Sequence, residues 1–114
     1  MKIYIVIPAH NEEDNIEETL ESLVNQQLKP TQLVVVNDNS TDRTAEKVND
    51  FIRLHPWIQL VNKKSTEEHL PGAKIIEAFY EGYHLLDEDY HIICKFDADM
   101  VFESNYLLKL SQHF

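Results

Sequence analysis

Glycine is nearly absent from this sequence: there are two in 114 residues, Gly72 and Gly82. No GxGxxG turn follows the first apolar run and no GxxxxGK[ST] loop exists, which excludes the usual dinucleotide and P-loop phosphate cradles. Cysteine occurs once, as Cys94 in the apolar run His91 to Phe96, so no intrachain disulfide can form and a buried, inert thiol is expected. No serine lies in a GxSxG turn, which argues against a nucleophilic hydrolase. Positive charge is scarce too. Ten basic residues face twenty acidic ones, and a formal charge of -10 repels nucleic-acid phosphates and anionic lipid heads, so no nucleic acid is expected as a partner. No apolar run is long enough for a transmembrane segment, and the opening run Met1 to Pro8 leads into acidic residues instead of a small-residue cleavage site. A cytoplasmic location is expected, with action at the inner membrane face left open for a longer protein.

What is present suits one soluble domain: 43% apolar and 26% charged residues, in a chain long enough for a single core. Residues 1–114 are expected to form that one domain. The chain stops at Phe114 directly after a helical pattern with no Gly or Pro stop signal, which reads as truncation.

Strand and helix patterns alternate four times. Ile3 to Ile7 is a continuous β-branched run of the kind buried on both faces, and Ile16, Leu20, Leu23, Val24 and Leu28 then recur at helical spacing. A first helix is predicted from about Glu13 to Leu28, with Glu12, Glu13 and Asp14 near its positive end. Lys29-Pro30-Thr31 breaks it, Gln32 to Val36 forms a second strand, and Ser40 and Thr41 are placed to cap a second helix that stops at His55-Pro56. A third strand is predicted at Trp57 to Val61, a mobile loop at Asn62 to Leu70, and a third helix from Pro71-Gly72 through Ile75, Phe79, Tyr83 and Leu86. Tyr90 to Phe96 makes a fourth strand and Glu103 to His113 a last helix. The fold class is therefore α/β, Rossmann-like, a parallel sheet of about four strands with flanking helices.

Open parallel sheets bind ligands beyond the carboxyl ends of their strands, which selects His10-Asn11-Glu12, Asn37-Asp38-Asn39 and Asp97-Ala98-Asp99. Carboxylates directly after apolar strands are costly unless partners await them. In an extended segment Asp97 and Asp99 point the same way, a pair suited to a hard cation such as magnesium or manganese that leaves positions open for diphosphate oxygens. A metal also answers the shortage of cations around any phosphate-bearing ligand. The plainer alternative makes Asp97 and Asp99 turn and capping residues, and Asp38 equally suits a turn and cap cluster. Its functional alternative is to accept hydrogen bonds from a nucleobase or ribose. His10 has no second histidine at ligand spacing, so no zinc site is expected.

These segments resemble glycosyltransferase family 2 of the GT-A fold, through Ile5-Val6-Ile7-Pro8-Ala9-His10-Asn11-Glu12-Glu13, Val35-Val36-Asn37-Asp38-Asn39-Ser40-Thr41-Asp42 and Phe96-Asp97-Ala98-Asp99. The resemblance implies an inverting transfer of sugar from a nucleoside-diphosphate sugar, UDP- or GDP-linked, to an acceptor hydroxyl, with Mn2+ or Mg2+. It implies that Pro8, Ala9, His10 and Glu12 line the nucleotide pocket, that Asp38 meets the base, and that Asp97 approaches the ribose or sugar. Asp99 is then the principal metal ligand with Asp97 beside it, and Lys74, in a stretch like the one before the family's third helix, approaches the diphosphate. Two positions depart from the family pattern: His10 where Tyr is frequent, and Asn37 where Asp is common. The implied catalytic base and acceptor-binding half fall after the acid triplet, and no base is identified here. A nucleotide-binding fragment without transferase activity of its own is one alternative. A metal-dependent nucleotidyltransferase lacks its basic, Gly-rich loop here, and a receiver-like signalling domain would need aspartyl phosphorylation.

Overall fold

The computed structural model describes residues 1–64 and 71–114, and of residues 71–75 the backbone alone. Among the described residues strands and helices alternate: β1 (Ile3–Ala9), α1 (Ile16–Val24), β2 (Gln32–Asp38), α2 (Thr44–Leu54), β3 (Ile58–Lys63), α3 (Pro71–Tyr83), β4 (Ile92–Lys95) and α4 (Tyr106–Ser111). All pairings are parallel and the strand order is β3-β2-β1-β4. The α/β parallel sheet expected from the β-branched runs is the observed one.

The sheet is covered on both faces, which is why its central strands are apolar without alternation. Ile3, Ile5 and Ile7 of β1 and Leu33 and Val35 of β2 pack with Ile16, Leu20 and Leu23 of α1, Val48 of α2 and Leu107 of α4. Tyr4, Val6, Val34 and Val36 face the other way, against Ala78 of α3 and Leu86. Each such fully buried aliphatic side chain contributes roughly 1.5–3 kcal/mol relative to exposure. On the second face, a Cβ at Gly82 would lie 2.7 Å from Val6 Cγ1 and 3.0 Å from Val36 Cγ2, so the close approach of α3 requires glycine. Cys94 is buried and unpaired, and burial pushes its thiol pKa up. No helix among the described residues is long and apolar enough to cross a membrane.

Several element ends differ from expectation, each for a local reason. Helix α1 starts at Ile16 and not near Glu13: residues 13–15 form turns in which the Glu12 carbonyl accepts both the Asn15 and the Ile16 amides, while the Glu12 and Glu13 amides donate to Thr44 Oγ1 and Asp42 Oδ2 across the loops. It ends at Val24 and not Leu28, because Gln26 and Gln27 turn their hydrogen bonds toward residues 103 to 107. Helix α4 starts at Tyr106 and not Glu103: the Glu103 carbonyl is shared between Gln26 Nε2 and the Tyr106 amide of a tight turn, and the Ser104 carbonyl accepts the Gln27 amide. Ser40 and Thr41 do not cap α2. That role falls to Asp42, whose Oδ1 accepts the Thr44 amide at 3.0 Å. Asn62 and Lys63, expected in a loop, extend β3, and residues 65–70 of that expected mobile loop lie outside the described residues.

Candidate functional site

From β1 the chain adds β2 and β3 on one side and then crosses to place β4 on the other, so the sheet order reverses between β1 and β4. That reversal opens a crevice at the carboxyl ends of the two strands, the usual ligand position in open α/β sheets. Ala9 and His10 form one lip. Lys95 pairs with Val6 at the end of β4, and two residues later the chain reaches Asp97 on the other lip.

The first lip is held by asparagines in the left-handed region. Asn11 has φ 51° and Asn39 has φ 56°, which lets the chain turn sharply after β1 and after β2 where glycine would ordinarily serve. The two loops are then joined. Asn11 donates its amide to Ser40 Oγ at 2.9 Å and its Oδ1 accepts the Thr41 amide at 2.8 Å. His10 Nδ1 lies 2.6 Å from the Asp38 carbonyl oxygen. A carbonyl only accepts, so Nδ1 is the donor in this contact. His10 and Asp38 are thus brought together, with His10 exposed and Asp38 half-buried at the end of β2. Pro8 is half-buried and Ala9 buried behind them. Glu12 is half-buried, its Oε2 accepting from Asn15 Nδ2 at 3.2 Å.

Asn37 gains a physical reason. Its Nδ2 donates to Asn62 Oδ1 at 2.8 Å, a bond an aspartate could not donate, and its own Oδ1 is buried without a hydrogen-bond partner among the described residues.

The second lip carries the acids. Asp97 and Asp99 are exposed on either side of Ala98, which is 4% exposed; the segment is not extended as expected but turns at Ala98 and Asp99, where the Met100 amide donates to the Asp97 carbonyl at 3.4 Å. Lys95 Nζ approaches Asp97 Oδ1 at 3.4 Å. The Ala98 carbonyl accepts the buried Thr19 hydroxyl at 2.9 Å. Phe96, Phe102 and Tyr106 pack beneath, with the Phe96 and Phe102 ring centroids 4.5 Å apart. Asp97 therefore lies on the far side of β1 from Asp38, across roughly two strand spacings or about 10 Å. No group of three or more His, Cys, Asp or Glu among the described residues could hold a metal. Two exposed carboxylates are nonetheless the protein share that magnesium-like ions take when phosphate oxygens complete the shell. The Lys74 side chain lies outside the described residues. Away from this crevice, a groove of about 570 Å³ runs along α3 at the sheet's outer edge, lined by Lys63, Lys64, Tyr80 and His84 among others.

Thr19 and Gln26 escaped the sequence reading, although Thr19 touches the acid-bearing segment and Gln26 the chain just after it. The signal was there: a threonine on the same helical stripe as Ile16, Leu20 and Leu23, wholly buried, is a polar group in need of a partner.

The family model described as Glycosyl transferase family 2 matches residues 4–114. The chain is 38% identical over 100 residues to the probable glycosyltransferase YdaM of Bacillus subtilis (strain 168), covering 86% of this chain and 23% of that protein. Among solved structures it resembles S. aureus TarS, with a TM-score of 0.76 at 23% identity over 98% of this chain and 32% of that one. It also resembles the mannosyltransferase PcManGT from Pyrobaculum calidifontis, solved with GDP-Man and Mn2+, with a TM-score of 0.68 at 25% identity over 93% of this chain and 30% of that one. The chain thus spans about a third or less of these proteins. With the family model matched over nearly its whole length, and the acid triplet and paired loops at the switch point of the sheet, the chain belongs to glycosyl transferase family 2.

Proposed function

We propose that residues 1–114 form one GT-A-type domain, the donor-binding part of an inverting, metal-dependent glycosyltransferase. The donor is a UDP- or GDP-linked sugar and the acceptor group a hydroxyl. The observation that carries this reading is the pair Asp97 and Asp99, two exposed carboxylates flanking a buried alanine at the switch point. The family match and the likeness to a mannosyltransferase solved with GDP-Man and Mn2+ support it. We read the protein as cytoplasmic, with action at the inner membrane face open to a longer protein.

In this reading Pro8, Ala9, His10 and Glu12 wall the nucleoside pocket, and Asp38 accepts hydrogen bonds from the base. The His10 contact to the Asp38 carbonyl fixes that wall before the ligand arrives. Asp97 and Asp99 together hold Mg2+ or Mn2+, Asp99 as principal ligand and Asp97 reaching toward the ribose or sugar. Bound there, the ion lends positive charge to the departing diphosphate. Lys74 adds a second cation near the same phosphates. The acceptor oxygen forms its bond to the anomeric carbon as the bond to the diphosphate breaks on the opposite side, which inverts the centre. The group that takes the acceptor proton is none of these residues, so the chain alone should bind nucleotide weakly and transfer little or no sugar.

Thermal stability with UDP, GDP and CDP, each with and without Mn2+, tests the reading. A ligand at a hundred times its dissociation constant adds roughly 2.7 kcal/mol. Stabilisation by one nucleotide that requires both Mn2+ and Asp99, and is lost in Asp99→Ala, is the expected result. Absence of any shift would refute a formed donor site in this chain.

A further inference from the structure

Thr19 is wholly buried in the apolar face of α1, beside Ile16, Leu20 and Leu23. Its Oγ1 donates to the Ala98 carbonyl at 2.9 Å and lies 3.2 Å from the Asn15 carbonyl one turn back. One hydroxyl proton serves one acceptor well, and the shorter contact is to Ala98. The Asn15 carbonyl already accepts the Thr19 amide at 3.1 Å, so the helix has no need of the hydroxyl. What gains from it is the carbonyl between the two acids, on a residue that is itself 4% exposed, since a buried carbonyl is costly without a partner.

The chain after the triplet is anchored to the residues that follow the same helix. Gln26, 1% exposed and two residues past the end of α1, donates Nε2 to the Glu103 carbonyl at 2.6 Å and accepts the Leu107 amide on Oε1 at 2.9 Å. Gln27 donates its amide to the Ser104 carbonyl at 2.7 Å. These bonds fix the path after the triplet, whereas Thr19 reaches the triplet itself. The pinned Ala98 carbonyl lies within the turn that carries both acids, and the side chains on either side of it, Asp97 and Asp99, are exposed.

Resting on the metal-site reading above, we propose that Thr19 is a positioning residue for that site. Its hydroxyl, acting through the Ala98 carbonyl, sets the spacing and direction of the Asp97 and Asp99 carboxylates. Groups that orient metal ligands from behind typically govern 10- to 100-fold in metal affinity.

The test compares Thr19→Val, which keeps the branched shape and loses the hydroxyl, with Thr19→Ser, which keeps the hydroxyl and loses a methyl. Thr19→Ala supplies a second hydroxyl-free variant with less bulk, so the comparison does not hang on one protein folding. Two quantities are read: the Mn2+ dissociation constant in saturating UDP or GDP, by electron paramagnetic resonance of the free ion, and amide exchange at 97–100 without metal. The hydroxyl-free variants should bind Mn2+ about ten-fold more weakly and exchange faster at 97–100, while Thr19→Ser stays close to the parent in both. Valine and alanine variants that bind Mn2+ as the parent does overturn this inference alone, and so does a serine variant as weak as valine. A parent protein that takes up no Mn2+, or whose uptake survives Asp99→Ala, overturns the metal-site reading and this inference with it.

Discussion

Asp42 Oδ2 accepts the Glu13 amide at 3.1 Å and thereby ties the approach to α1 to the first turn of α2, where Asp42 Oδ1 takes the Thr44 amide and hydroxyl. This carboxylate adds to the Asn11 bonds to Ser40 and Thr41 in joining the two loops that form one lip of the crevice. Removing a helix cap of this kind costs about 1–2 kcal/mol, so Asp42→Ala should lower stability by that amount in urea denaturation. The acid side of the stability curve gives a finer test. Burial alone pushes the Asp42 pKa up, but the Thr44 hydroxyl and the amides of Thr44 and Glu13 together outweigh it and hold the carboxyl below its ordinary 3.8. A depressed folded pKa contributes stability that is complete above the ordinary value and lost as pH falls through the folded one. Asp42→Asn should therefore be less stable than the parent at neutral pH, and the gap should close in strong acid. A gap independent of pH would sink this account of the carboxylate.

Gly82→Ala sets two effects against each other. Alanine in a helix interior gains up to about 1 kcal/mol over glycine. Here the added carbon would lie 2.7 Å from Val6 Cγ1 and 3.0 Å from Val36 Cγ2, on stiff side chains of two buried central strands. Overpacking of this kind costs roughly 1–3 kcal/mol, so the net change should be destabilising. Gly82→Ala combined with Val6→Ala should recover part of the loss relative to the sum of the single variants. Strict additivity in a double-mutant cycle would mean that the contact does not limit the approach of α3.

The order of elements is legible in the sequence because the sheet is buried on both faces. Runs such as Ile3 to Ile7 and Val34 to Val36 have no exposed side to alternate with, and stripes such as Ile16, Leu20 and Leu23 have only one face to bury. Element ends are less legible, since they depend on side chains distant in sequence. Glu12 and Glu13 look like a first helical turn, yet they lie in the turns before α1, where their amides meet Thr44 and Asp42, some thirty positions on. The strand ends that carry His10, Asp38, Asp97 and Asp99 follow from the topology rule and the three polar segments. The residues holding them do not, because Thr19 and Ala98 are 79 positions apart and nothing local announces their contact.

Far from the crevice, at the amino end of β1, the Tyr4 hydroxyl donates to Asp87 Oδ1 at 2.5 Å. That bond, helped by burial, pushes the Tyr4 pKa up to about 12, and the same bond, with the Asp89 amide, holds the Asp87 carboxyl below its ordinary value. A raised folded pKa contributes stability that is complete below the ordinary value of 10.0 and lost as pH rises through about 12. Tyr4→Phe should remove a phenol that titrates near that upper limit in phenolate absorbance, and should flatten the alkaline fall in melting temperature. Loss of a phenol titrating at the ordinary value instead would show that the Asp87 bond is absent in solution.

Asp38 and Asp99 lie on opposite lips of the crevice, and the proposed roles make their variants fail differently. Asp99 is exposed, so Asp99→Ala should leave the unliganded protein within about 0.5 kcal/mol of the parent. It should abolish the increment that Mn2+ adds to nucleotide binding, leaving whatever the nucleotide gains without metal. Asp38→Ala removes a charged acceptor for the base, worth about 1.5–3 kcal/mol, or roughly ten- to a hundred-fold in affinity. That loss should be the same with and without Mn2+, because the base is far from the ion. Isothermal titration of UDP and GDP into both variants, at zero and saturating Mn2+, separates the two patterns. If Asp38→Ala also erased the metal increment, nucleoside and metal recognition would not divide between the β2 and β4 ends as proposed. If neither variant changed nucleotide affinity, the crevice between β1 and β4 would not be the donor site.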